Sequence, residues 1–244
     1  MTPESDQTAL EGSPESNGLP FEWEALQEAK NYRIALLSEF RPWLRGLTLE
    51  IGAGIGQFTE TLSSLLPPET IIALEPTPRF CVCLRQRLSR ARIVCGTSAC
   101  LGAACTPNAI VSVNVLEHID DDLAELKRYR QLLQPRSGRL CLFVPARPEL
   151  FSSLDRAFGH YRRYTRPELR QKLQASGFHL ERLHYFNLLG YLAWWGSFRF
   201  LGRRRFDPIL VRFFDRFLFP AVHALESRVC RPPLGQSLLA VATA

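Results

Sequence analysis

No uninterrupted apolar run of about 18 residues occurs in the chain, so the sequence offers no membrane-spanning helix. The first twenty residues, MTPESDQTALEGSPESNGLP, lack both the basic start and the apolar run of an export signal. They are polar and acidic and read as a disordered tail, residues 1–20. The expectation is therefore a cytoplasmic protein in a reducing compartment. Seven cysteines are present, and Cys81, Cys83, Cys95, Cys100 and Cys105 cluster in sequence. There is no CxxC pair and no histidine beside them, so their spacing suggests no metal site. They read as small buried hydrophobes.

What is present fits one large α/β domain over residues 21–244. Hydrophobic residues make up 46% of the 244, enough to bury a core. Seven β runs can be picked out: LTLEIG, TIIALEP, ARIVCG, AIVSVNV, GRLCLFVPA, FHLERLHYFNLL and GQSLLAVATA. AIVSVNV is continuously apolar, as a buried parallel strand should be. Helical segments fall between many of them. DDDLAELKRYRQLL opens with acids at its positive end. TRPELRQKLQASG carries a capping box, Thr165 with Glu168, and ends at Gly177. Strands alternating with helices predict βαβ units and a parallel sheet with helices on both faces. Ligands of such sheets bind beyond the carboxyl ends of the strands. Gly52–Gly56, Glu75, Gly96 and Asn114 all fall at those ends.

The turn after the first strand reads LEIGAGIGQF. Its glycines, Gly52, Gly54 and Gly56, follow a GxGxG spacing rather than the GxGxxG of dinucleotide binders. Glycines let the backbone approach a ligand closely. Glu50 precedes them and suits a ligand with an ammonium group better than one with a pyrophosphate. Glu75 closes the second strand, where a carboxylate can accept from both ribose hydroxyls and would repel a 2′-phosphate. S-adenosylmethionine has an ammonium group, a sulfonium, a ribose and no phosphate.

With LEIGAGIGQF, IIALEP, IVCGTS and VSVNVLEHIDD together, the chain resembles the class I S-adenosylmethionine-dependent methyltransferases. VLEH after the fourth strand is similar to the branch that methylates small molecules, which includes quinone-biosynthesis enzymes. The resemblance covers roughly residues 21–189 and the last strand. It implies a Rossmann-like, doubly wound, seven-stranded, mostly parallel sheet. It also implies that Glu50, Gly52, Gly54 and Gly56 hold the methionine end and Glu75 the ribose. Thr97 and Ser98 match the adenine edge, where an Asp usually stands in place of Thr97. Asn114, Val115 and Leu116 line the cofactor. Glu117 and His118 either cap the next helix or orient the loop, and His118 is also a catalytic candidate.

Beyond the fifth strand, ARPELFSSLDRAFGHYRRYT should overhang the site. His160 is a candidate general base, with Asp155 placed to orient it and Tyr164 the next candidate. Tyr161, Tyr164, Arg162 and Arg163 could hold an aromatic or anionic acceptor, or staple the loop down. Between the sixth and seventh strands lies a helical insertion, residues 190–232, carrying five of the chain's six net positive charges. Asp207–Pro208 is a helix start. Ile209, Phe213 and Phe217 then line one face, with Leu210, Phe214 and Leu218 beside them. A basic amphipathic helix with GRRR (Gly202–Arg205) nearby suits an anionic membrane surface; a lid or a protein interface fits it equally. Nucleic acid is disfavoured, because NVLE replaces the Asn/Asp-Pro-Pro-aromatic loop of base-amino methyltransferases. The expectation is methyl transfer from S-adenosylmethionine to oxygen or carbon of a small or lipid-linked acceptor, at most peripheral to a membrane. The alternatives are an NAD-dependent oxidoreductase and a non-catalytic membrane-associated binding protein.

Overall fold

The structure, a computed structural model, describes residues 27–102, 104–200, 207–228 and 231–244. The tail and the GRRR run therefore lie outside the described residues. Seven strands form one sheet: β1 (Thr48–Ile51), β2 (Ile71–Glu75), β3 (Arg92–Cys95), β4 (Ala109–Val113), β5 (Arg139–Pro145), β6 (His179–Phe186) and β7 (Ser237–Thr243). Their order is β3-β2-β1-β4-β5-β7-β6. All neighbours pair in parallel except β7, which runs antiparallel between β5 and β6.

The order reverses direction beside β1, and there the carboxyl ends of β1, β2 and β4 open a crevice. Central strands are buried on both sides, so their apolar residues alternate between two cores. Leu140, Leu142 and Val144 of β5 face α4 (Asp122–Leu133) and α6 (Arg166–Ala175). Cys141 and Phe143 face α1 (Lys30–Phe40) and α2 (Gln57–Ser63). Further short helices are α3 (Pro78–Arg87) and α5 (Ser153–Ala157). Helix α6 starts at the capping box of Thr165 and Glu168 and is followed by Gly177 in the left-handed region, as its sequence predicts.

One connection departs from strict βαβ alternation. Between β3 and β4 the described residues form only a 3-10 turn, Ser98–Cys100. Gly96, Gly102 and Pro107 break up a segment too short for a covering helix. A cavity of about 250 Å³ is left there, lined by Ile72, Val94, Leu101 and Cys105 among others.

The insertion leaves from the crevice edge, since β6 ends and β7 begins there. It holds α7 (Leu188–Trp194), continued by a π-helical segment to Phe200, and α8 (Pro208–Phe213), which runs through a second π-helical segment into α9 (Phe219–Arg228). Asp207 caps α8 by accepting from the Ile209 N–H at 2.9 Å. Asp215 accepts from the backbone N–H groups of Asn31 and Tyr32 at 2.9 and 2.8 Å, satisfying donors at the start of α1. Glu226 accepts from the Leu188 N–H at 2.8 Å at the start of α7. Phe219 is buried against Tyr32 and Phe186. One side of the insertion is thus part of the domain. The other leaves Ile209, Phe213 and Phe217 exposed. Among the described residues, no helix is long and apolar enough to cross a membrane.

Candidate functional site

The glycine turn begins where β1 ends. Gly52, Gly54 and Gly56 all have φ in the left-handed region, at 70°, 56° and 91°. A side chain there would be strained. At Gly52 an added Cβ would lie 2.4 Å from Val115 Cγ2, so the loop after β4 rests directly on the turn. Two stretches assigned to the same ligand by sequence are thereby brought together.

Glu75 ties the turn down. Its Oε2 accepts from the Gly54 N–H at 2.8 Å and its Oε1 from the Thr77 N–H at 2.9 Å. Each oxygen keeps one further acceptor position, so a ribose hydroxyl could still be taken up. This anchoring role was not visible in the sequence, because spacing alone does not say which backbone groups a carboxylate meets.

Glu50 is buried in β1, and its Oε2 has no hydrogen-bond partner. Burial pushes its carboxyl up to about 8, and the neighbouring Glu75 charge adds to the rise, while Thr59 offsets part of it. An acid left so beside an open turn has the chemistry to receive a cation. It fits the ammonium end of an amino-acid-bearing ligand and does not fit a pyrophosphate.

The other expected contacts vary. Asn114 adopts φ 53° and its N–H donates to the Phe143 carbonyl at 2.9 Å, leaving its side chain exposed. Thr97 is exposed, whereas Ser98 is buried and its hydroxyl donates to Glu125 at 2.9 Å. Leu116 is fully buried in the core beneath the crevice, so it supports the wall rather than forming its surface.

Across the crevice, the loop after β5 meets the loop after β4. The rings of His118 and His160 lie edge to face, with centroids 4.6 Å apart. The Tyr161 N–H donates to the Glu117 carbonyl at 2.8 Å and locks the two loops together. His160 Nδ1 lies 3.0 Å from Asp155 Oδ1, the orienting contact its sequence position suggests. Asp155 sits in a capping box with Ser152 and also accepts from Arg163 Nε at 2.7 Å. Burial would raise the Asp155 carboxyl, but the His160 and Arg163 contacts hold it below the usual carboxylate range. Partial desolvation, and then the neighbouring His160, lowers His118 from the ordinary histidine range.

Glu117 is the residue whose placement the sequence did not reveal. It does not cap α4; Asp121 does, accepting from the Ala124 N–H at 2.9 Å. The Glu117 side chain is wholly buried, its Oε1 4.0 Å from His160 Nε2, and neither carboxylate oxygen has a hydrogen-bond partner. Burial pushes its carboxyl up to about 8. The only signal was an acid four residues beyond the end of a buried strand.

The Arg and Tyr residues of GHYRRYT separate into two groups. Arg163 is buried, paired with Asp155 and stacked 4.4 Å from the Trp194 ring centroid. Tyr164 is fully buried, donating to Asp122 at 2.9 Å, and burial and that carboxylate raise its hydroxyl far above the usual phenol range. Arg162 pairs with Asp122 at 2.9 Å. These three hold the loop, so the structure brings His118 and His160 to the crevice and turns Tyr164 inward. Tyr161 remains exposed. Trp194 also donates to the Leu150 carbonyl at 3.1 Å, which joins the insertion to the His160 loop.

Comparison with known proteins agrees with this geometry. The model of a family described as a methyltransferase domain matches residues 33–183. No curated protein matches the sequence. Solved structures with the same fold include an S-adenosylmethionine-dependent methyltransferase of Thermotoga maritima. It is 18% identical, with TM-score 0.58 and 91% and 93% of the two chains covered. A Haloferax volcanii protein solved in complex with the Trm112 methyltransferase activator is 15% identical, with TM-score 0.60 over 91% and 94%. An S-adenosylmethionine-dependent methyltransferase of Mesorhizobium loti is 15% identical, with TM-score 0.56 over 86% and 98%.

Proposed function

The chain belongs to the methyltransferase-domain family, and from that premise we propose that it methylates oxygen or carbon of a small or lipid-linked acceptor lying under the 146–165 loop. It is an enzyme, and S-adenosylmethionine is its methyl donor. The oxidoreductase and the non-catalytic readings of the sequence give way to methyl transfer.

The observation that carries the placement of the donor is Glu50, a buried carboxylate with an unpartnered oxygen beside the glycine turn. We assign Glu50, Gly52, Gly54 and Gly56 to the methionine end and Glu75 to the ribose. Thr97 and Ser98 are assigned to the adenine edge, and Asn114 and Val115, with Leu116 behind them, to the wall. The sulfonium is already a good leaving group when bound, so the protein's task is to hold the acceptor in line with the methyl, about 3 Å away. His118 and His160 are the residues we place at the acceptor, with Tyr164 and Asp155 as positioning residues.

The lipid-linked alternative draws support from the exposed ridge Ile209, Phe213 and Phe217, on an element that leaves the sheet at the crevice edge. An apolar ridge of this kind suits the boundary of a bilayer. Incubation with methyl-labelled S-adenosylmethionine, a cell extract and anionic or neutral vesicles tests the whole reading. Label should enter an acceptor, and His160→Ala should lower incorporation about 10²–10⁴-fold. Label in the organic phase, with co-sedimentation on anionic vesicles, supports the lipid-linked acceptor. Label confined to water-soluble product overturns that part alone. No label in any fraction overturns the function.

A further inference from the structure

We propose that Glu117, His118 and His160 form a binding site for one divalent transition-metal cation of the zinc type. This deepens the acceptor-side reading and rests on it. One potential ligand atom from each residue lies within 4.8 Å of the other two. Two imidazoles and one carboxylate are a donor set that suits zinc, and also iron or cobalt with open positions. Bonds of about 2.0–2.2 Å from such ligands bring them to roughly 3.3 Å from one another. The present His160 Nε2 to Glu117 Oε1 separation of 4.0 Å closes to that with side-chain adjustments of less than an ångström.

A second observation points the same way. Glu117 is wholly buried, and neither of its oxygens has a hydrogen-bond partner. A buried carboxylate ordinarily finds donors. Here the groups facing it are His160 and, at longer range, the cationic Arg163, which is already committed to Asp155. A cation between Glu117 and His160 would give this carboxylate the partner it lacks.

The surroundings are those of a ligand set. Metal-binding histidines usually give their second ring nitrogen to a carboxylate or a backbone carbonyl, which fixes the ring. His160 Nδ1 is held by Asp155 at 3.0 Å, which leaves Nε2 for the cation. The His118 ring is seated edge to face on the His160 ring, with centroids 4.6 Å apart. Asp155 is itself fixed by Ser152 and Arg163. His118 is exposed, so the open coordination positions face the crevice.

Three protein ligands leave room for an acceptor hydroxyl. Bound there, the hydroxyl becomes more acidic, as water does on a protein-held zinc ion. Its proton would leave to solvent, and its electron pair would form the new O–CH3 bond as the S–CH3 bond of the sulfonium breaks, that bond's pair staying on sulfur in the departing S-adenosylhomocysteine. Such a site would give the two facing histidines and Glu117 one shared task at the acceptor.

The test is direct metal binding to the whole purified protein. After chelator treatment and dialysis, Zn²⁺ and Co²⁺ are titrated against a chromophoric competitor, with the visible spectrum of the Co²⁺ form recorded. One equivalent should bind, with a spectrum of nitrogen and oxygen ligation. Glu117→Gln and His160→Asn should each weaken binding by more than about 100-fold. Asp155→Asn, acting through His160, should weaken it about 10–100-fold. Thiolate bands would place the ion at the exposed Cys95 or Cys100 and overturn the assignment. So would the absence of binding, or binding unchanged in Glu117→Gln. S-adenosylhomocysteine affinity is measured on every sample. If it is intact without metal binding, this inference alone fails. If it is lost in the untreated wild type, the methyltransferase reading fails instead. Should Glu117→Gln not fold, the exposed His118→Asn supplies the same comparison.

Discussion

On the side of the glycine turn, backbone groups do the holding. The Gly54 and Thr77 N–H groups grip Glu75, Gly52 lies against Val115, and one acid, Glu50, is left without a partner at Oε2. On the side of the 146–165 loop, side chains do the holding. Asp155 joins Ser152, His160 and Arg163, and Asp122 joins Tyr164, Arg162 and Lys172. A turn fixed through its backbone N–H groups can serve one ligand shape in many enzymes. A loop fixed by side-chain pairs can be re-cut for a new acceptor by a few substitutions. On the proposed reading, the shared chemistry lies on the first side and the specificity on the second.

The sharpest way to break that contrast is to remove the charge that staples the acceptor loop. Arg163→Met leaves Asp155 buried and without its guanidinium partner. Breaking a buried pair typically costs about 3–5 kcal/mol. Thermal unfolding should shift to markedly lower temperature and turnover should fall, while S-adenosylhomocysteine affinity in the folded fraction changes little. Donor affinity falling in step with turnover would show the two sides to be one unit.

A smaller effect is expected on the backbone-held side. Glu75→Ala takes an acceptor from two backbone N–H groups and, on the proposed assignment, from the ribose. Calorimetry should show donor affinity reduced by about 1.5–3 kcal/mol for each charged hydrogen bond lost at the ligand. Unchanged affinity would leave Glu75 as an anchor of the turn and nothing more.

Legibility in the sequence follows the same division. LEIGAGIGQF, Glu75 and NVLEH are local patterns, and the fold places them at adjoining strand ends, where a local pattern suffices. The seven strands and the capped helices were readable for the same reason. GHYRRYT was not readable in this way. Arg162, Arg163, Tyr161 and Tyr164 are alike as letters, and which of them turns inward depends on Asp122, Asp155 and Trp194, tens of residues away or on another element. Glu117 shows the limit most clearly. As a letter it could cap a helix, and only the three-dimensional contact with His160 shows it buried and open at both oxygens. The insertion was legible as helix and as surplus charge, but its docking through Asp215 onto α1 was not.

The central claim is that the glycine turn receives an amino-acid-bearing methyl donor through Glu50. The most direct measurement is calorimetric titration with S-adenosylhomocysteine and, separately, NAD, between pH 6 and 8 in two buffers of different ionisation enthalpy. Without ligand, Glu50 titrates near 8, so it is largely protonated at pH 7. Meeting an ammonium group favours its charged form, so binding should release a proton and strengthen by up to about tenfold per pH unit until Glu50 ionises unaided. Micromolar affinity for S-adenosylhomocysteine is expected, about −8 kcal/mol, with proton release in the wild type and none in Glu50→Gln. Tight NAD binding with no response to S-adenosylhomocysteine would contradict it.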